Sequence, residues 1–213
     1  MTSPRILITG FSVFPGAPVN PTQKLIEALR DNPALLPSGA DIHLEVLPVE
    51  YGVVPGALRS LGRGFAPDIA IHFGLSAKAT GFTLEQVARN EIAANRADNS
   101  GVQPAAVCIV DGAGDIPSTL PLEAIAAALH DQRLPVAWSD DAGGYLCNYL
   151  FYLSRSPDFA AFAPEISGFV HVPPLRENEP DNPHALPLAD LVRGAALIVA
   201  VCASAWRCGC AAA

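Results

Sequence analysis

Cys147 stands in the segment Ser139-Asp140-Asp141-Ala142-Gly143-Gly144-Tyr145-Leu146-Cys147-Asn148, where a strand-like run ends, a glycine pair bends the chain and a helical pattern begins. A thiol in the first turn of a helix faces unpaired backbone N–H groups and the positive end of the helix dipole. Both favour thiolate, and the same N–H groups can hold an oxyanion. That is the chemistry of a nucleophilic cysteine. Set against it, free cysteine is among the most buried residue types, so position alone also fits an inert core thiol.

A nucleophilic thiol needs a base. His171, in Gly168-Phe169-Val170-His171-Val172-Pro173, and His72, in Ile69-Ala70-Ile71-His72-Phe73-Gly74, both close an apolar strand-like run. Either imidazole can take a thiol proton, and either can be a satisfied core histidine. A carboxylate on the far ring nitrogen would fix the tautomer and steady the imidazolium; Glu85, Asp98 and Asp141 are the candidates, and spacing does not choose among them. The loop Thr9-Gly10-Phe11-Ser12-Val13-Phe14-Pro15-Gly16 sits where nucleotide-binding proteins place a phosphate loop, but it lacks both the GxGxxG pattern and a following Lys-Ser/Thr. It offers Phe11 and Phe14 instead, as core packing or as an apolar clamp on a small flat ligand.

These residues must be held by an alternation of strands and helices. Residues 5–9 read as a buried strand; Asn20 caps and Pro21 opens a helix that places Leu25, Ile26 and Leu29 on one side and stops at Asn32-Pro33. Ile42, Leu44 and Val46 alternate as in a strand, a helix with Val54, Leu58 and Leu61 follows, and Pro67-Asp68 leads into the run 69–73. Later come a helix over 121–130, a strand over 135–138, a helix over 145–153, a strand over 168–172, and a closing helix with Leu188, Leu191, Val192, Ala195 and Val199 on one face. The pattern predicts a three-layer α/β/α sandwich with a mostly parallel mixed sheet, in a single domain over residues 1–213, with functional residues at strand ends. The segment 81–110 fits the rhythm least well and is expected to be hairpin or loop reaching over the site.

The chain has 213 residues, half of them hydrophobic, enough for one sizeable core. A formal net charge of −8 gives no basic stripe for a phosphate backbone, so nucleic acid is not an expected partner. The first apolar run is too short for a signal-peptide core, and the apolar stretch 195–206 is about half the roughly 20 residues a bilayer requires, so it is read as a packed helix and not a membrane span. Five scattered cysteines do not resemble a disulfide framework and point to a reducing cytoplasm. Cys202, Cys208 and Cys210 lack the spacing of a zinc site, and the end of the chain reads as a frayed tail; no metal is expected.

The quoted segments resemble, in order, those of the pyroglutamyl peptidase I (pyrrolidone-carboxylate peptidase) family of cysteine peptidases. Thr9-Gly10-Phe11-Ser12-Val13-Phe14 with Asn20-Pro21-Thr22 is similar to the family's TGFxPF…NPS opening, and Asp111-Gly112 with Ser118-Thr119-Leu120-Pro121 to its central DG…STLP. Residues 142–148 resemble its AGTYLCN nucleophile motif, and residues 168–173 its GFIHVP base motif. Phe82-Thr83-Leu84-Glu85-Gln86-Val87-Ala88-Arg89-Asn90 matches the segment that carries the family's catalytic glutamate. The resemblance therefore implies Cys147 as nucleophile, His171 rather than His72 as base, Glu85 as its orienting carboxylate, and Phe11 and Phe14 around a lactam ring. It implies a cofactor-free exopeptidase acting through a thioester on peptides with an N-terminal pyroglutamate (5-oxoproline), in a homo-oligomer, a tetramer by family resemblance.

Two departures stand out. Leu75 takes the place of a glutamine, and Ser76-Ala77-Lys78-Ala79 replaces a small, arginine-bearing stretch, implying one polar substrate contact fewer. The family's RIPDN becomes Asn95-Arg96-Ala97-Asp98-Asn99, which puts Asn95 in register with the arginine and Arg96 one place later, so the resemblance does not carry a role near the oxyanion over to Arg96. These substitutions leave room for a related thiol hydrolase of another small lactam or aminoacyl substrate. A non-catalytic binding protein of the same fold is the alternative outside enzymes, and the intact Cys147, His171 and Glu85 argue against it.

Overall fold

A computed structural model describes residues 3–93, 97–105 and 107–212, the side chains of 210–212 excepted. The element order is β1 (Arg5–Phe11), α1 (Pro21–Asp31), β2 (Asp41–Leu47), α2 (Val54–Gly64), β3 (Ile69–Leu75), β4 (Phe82–Glu85), β5 (Val87–Ala88), β6 (Ile116–Pro117), α3 (Leu122–Asp131), β7 (Val136–Ser139), α4 (Leu146–Arg155), β8 (Ile166–Val172) and α5 (Leu188–Ala212).

Six strands form one sheet in the order β2-β1-β3-β8-β4-β7. The first four are mutually parallel, as expected of buried apolar runs joined by helical crossovers. β4 runs antiparallel to β8 and parallel to β7, so the last two strands reverse the sheet's direction. Alternate residues of each strand face opposite layers. Ile6, Ile8, Ile69 and Ile71 pack under α1, α3 and α5, whereas Leu7, Ala70 and Phe169 pack under α2 and α4. The result is the α/β/α sandwich that the alternation predicts.

Local signals account for the helix ends. Asn20 accepts the Thr22 N–H at 3.0 Å and Pro21 opens α1, an N-cap arrangement that contributes about 1 kcal/mol. Leu25, Ile26 and Leu29 are fully buried on its inner side, as their spacing requires.

Two expectations need correction. Segment 81–110 is not all hairpin or loop: β4 is a full member of the main sheet, inserted between β8 and β7. Only beyond it does the chain become irregular, with β5 paired to β6 and an isolated bridge between Ile92 and Val107. Nor does the chain end in a frayed tail, because α5 runs to Ala212. Over Leu188–Gly209 this helix is long and apolar enough to cross a membrane by length and composition. Its Leu191, Ala195, Ile198, Val199 and Cys202 are instead buried in the core.

Candidate active site

The parallel strands deliver their C-terminal ends to one edge of the sheet, where α4 begins and the antiparallel β4 is paired. Cys147 is the second residue of α4, following the N-cap Tyr145 and the first helical residue, Leu146. Tyr149 N–H is already paired within the helix, to Tyr145 O at 3.1 Å. The N–H groups ahead of it belong to the unpaired first turn. Sγ is packed against the strands as well. A Cβ added to Gly74, near the end of β3, would lie 2.6 Å from the Phe169 ring and 2.9 Å from Sγ.

His171 comes from β8 and Glu85 from the end of β4. Antiparallel pairing sets Thr83 opposite His171, which brings the Glu85 carboxylate alongside the imidazole. His171 Nδ1–H donates to Glu85 Oε1 at 2.7 Å, with His171 6% and Glu85 1% exposed. Cys147 is coupled electrostatically to the same imidazole. Burial alone would lower the His171 pKa, but negative charge on Cys147 and Glu85 outweighs it and pushes the value up to about 10. Glu85 Oε2 has no hydrogen-bond partner among the described residues, so this buried carboxylate depends on the His171 proton.

The competing candidates have other tasks. His72 is fully buried, with Nδ1 2.8 Å from Thr9 Oγ1 and Nε2 2.8 Å from Ser154 Oγ, and burial takes its pKa down to about 3. A neutral ring that links three elements through hydroxyl groups is a core histidine. Asp98 accepts from the N–H groups of Tyr51, Ser100 and Val102 and from the Ser100 hydroxyl; burial raises its pKa, but these four donors outweigh it and leave the value lowered. It organises a loop. Asp141 accepts the Gly143 N–H at 2.9 Å and lies 3.9 Å from Arg89 Nε.

Beside Sγ is a small apolar cavity, lined by Phe11, Phe14, Asn20, Val49, Leu75, Tyr145, Leu146 and Cys147. All three sequence-predicted pocket residues therefore meet at the candidate nucleophile. Of the two polar side chains that complete this lining, Asn20 is engaged as the α1 cap and donates to Ser12 O, and Tyr145 donates to Ala97 O. Asn99 closes the same wall, its N–H donating to Val49 O and its side-chain amide to Val13 O. Ala79 is buried in a wider neighbouring cleft. Asn95 and Arg96 lie outside the described residues.

Two positioning residues carried no prediction. Asn148, fully buried, accepts the Arg89 N–H and donates to the carbonyls of Arg89 and Glu91, tying the first turn of α4 to the chain just beyond Glu85. Asn90 accepts from Ile109 and Val110 N–H and donates to Val110 and Ala113 O, fastening the irregular segment. Both asparagines fall inside quoted motifs, and an uncharged amide within an otherwise apolar stretch is the signal that could have marked them.

The arrangement matches known proteins. The family model described as pyroglutamyl peptidase matches residues 4–205. The pyrrolidone-carboxylate peptidase of Pyrococcus furiosus is 37% identical over 174 residues, covering 81% of this chain and 82% of that protein. That of Streptococcus pyogenes serotype M3 is 35% identical over 193 residues, covering 89% and 88%. Among solved structures, that of pyrrolidone carboxyl peptidase from the hyperthermophile P. furiosus superposes with a TM-score of 0.86 at 32% identity, covering 94% of this chain and 99% of the other.

Proposed function

The chain belongs to the pyroglutamyl peptidase family, and from that premise we propose that Cys147, His171 and Glu85 hydrolyse the bond following an N-terminal pyroglutamate. The observation that carries this reading is the buried His171–Glu85 hydrogen bond, with Cys147 coupled to the same imidazole at the mouth of a small apolar cavity.

The Cys147 thiolate attacks the pyroglutamyl carbonyl, and backbone N–H groups at the start of α4 hold the oxyanion. The His171 imidazolium then protonates the departing amine, leaving a thioester on Sγ. Neutral His171 next removes a proton from water, which adds to the thioester and releases pyroglutamate and the thiolate–imidazolium pair. Glu85 steadies the imidazolium throughout, and each proton-transfer role contributes on the order of 10²–10⁴ in rate. Phe11, Phe14 and Leu75 enclose the ring. An uncyclised N-terminal glutamine would bring an ammonium that this apolar cavity cannot solvate.

Peptides with an N-terminal pyroglutamate are the substrates, in a cytoplasmic homo-oligomer. The reading is tested with pyroglutamyl-naphthylamide: Cys147→Ser and His171→Ala are each expected to lose nearly all release of the chromophore. Undiminished turnover by Cys147→Ser would refute it.

A further inference from the structure

Beside the ring cavity lies an open cleft of about 540 Å³ that shares Leu75, Tyr145 and Cys147 with it and runs between the β3–β4 and β7–α4 loops. His171 lines this cleft and not the ring cavity. Since His171 protonates the departing amine, the peptide attached to that amine must lie in the cleft. This step rests on the pyroglutamyl reading of the neighbouring cavity.

Besides the catalytic Cys147 and His171, the cleft has three charged side chains, Lys78, Glu85 and Asp141. Two are already engaged. Glu85 is bound by His171, and Asp141 accepts the Gly143 N–H and shares Arg89 with Asp140. Lys78 is exposed on the β3–β4 loop, and no ion pair or side-chain hydrogen bond occupies its ammonium among the described residues. Lys78 is therefore the cleft cation with no anionic partner among the described residues, in a chain whose net charge of −8 otherwise repels anions.

We propose that Lys78 forms a carboxylate-recognition subsite for the leaving peptide, favouring pyroglutamyl substrates that carry a carboxylate immediately beyond the scissile bond. A long flexible stem lets the ammonium follow either a side-chain carboxylate or the C-terminal carboxylate of a dipeptide. An ammonium this exposed supplies a discrimination of roughly twofold to fivefold, and salt screens it.

The experiment compares kcat/KM, by release of the primary amine, for pyroglutamyl-alanine amide, pyroglutamyl-alanine and pyroglutamyl-glutamate amide, at low and high salt, in the wild type, Lys78→Ala and Lys78→Glu. In the wild type at low salt, at least one carboxylate substrate is expected to exceed the neutral amide by about twofold to fivefold. That ratio falls to about one in Lys78→Ala and below one in Lys78→Glu, and it shrinks in high salt. Preference for pyroglutamyl-alanine assigns the C-terminal carboxylate, preference for the glutamate amide assigns the side chain, and both support the subsite. Each ratio comes from a single enzyme preparation, so loss of folded protein cannot imitate the effect. Equal values for all three substrates in the wild type, or a preference that survives Lys78→Ala, overturn the subsite and leave the pyroglutamyl reading standing. Absence of turnover on every substrate overturns that reading and the subsite with it.

Discussion

His171 is a buried histidine whose proton is held from both sides, by Cys147 and by Glu85, and the pH dependence of catalysis should show it. Because its pKa is raised to about 10, the proton that the leaving amine needs is retained well above the ordinary imidazole range. The alkaline limb of kcat/KM is therefore expected far above pH 7, and the substrate contributes no titrating amine of its own because its N-terminus is a lactam. Glu85→Gln removes one of the raising charges, so the limb should move to lower pH while kcat falls on the order of 10² or more. A profile with the limb unmoved would show that Glu85 does not support the imidazolium. In the ring cavity, Leu75→Gln introduces an amide where the lining is apolar, and a lower KM for pyroglutamyl substrates is expected; an unchanged or raised KM would remove position 75 from the ring's surroundings.

Secondary-structure elements differ in how much of their role the sequence showed. The strands β1, β3 and β8 were legible because each is a nearly continuous buried run between punctuating residues. β4 was not, although Phe82 and Leu84 alternate, because it ends on Glu85 and a carboxylate inside a core strand resembles the start of a loop when polarity is the only guide. Its burial is tolerated through a partner 86 positions away, a contact that no local window contains. The N-terminal turn of α4 is legible in its glycine pair, whereas the anchor beside Cys147 is not, because the partners of Asn148 lie 57 and 59 positions away in the chain. Asn148→Ala would strand three backbone groups of Arg89 and Glu91, and a loss of about 2–4 kcal/mol in urea unfolding is expected. Gly74→Ala tests the other side of the thiol. Its methyl group would meet the Phe169 ring and Sγ, so kcat/KM should fall at least about tenfold through displacement of the nucleophile. Wild-type kinetics in that variant would mean that the strand and helix yield at no cost to the site.

The whole molecule has two apolar cores that share one sheet. One lies under α1, α3 and α5 and the other under α2 and α4, and β1, β3 and β8 contribute alternate residues to both. We propose that the chain is for this reason one cooperative catalytic domain. The N-terminal β1 lies between β2 and β3, while β7 and the closing α5 come from the far end of the chain, so neither terminal half can keep its core without the other. The active site bridges the two layers, taking Cys147 from α4 and its partners from the reversed strand pair β8 and β4. Trp206 sits in the first core and, with the exposed Trp138 replaced by phenylalanine, reports that layer by fluorescence, whereas catalytic activity reports α4 on the other. In a denaturant titration, tryptophan emission, far-UV circular dichroism and residual activity should change together along one transition. Activity lost at a denaturant concentration where emission and helicity remain native would mean that α4 and its layer unfold independently. The sheet would then be joining two separable units.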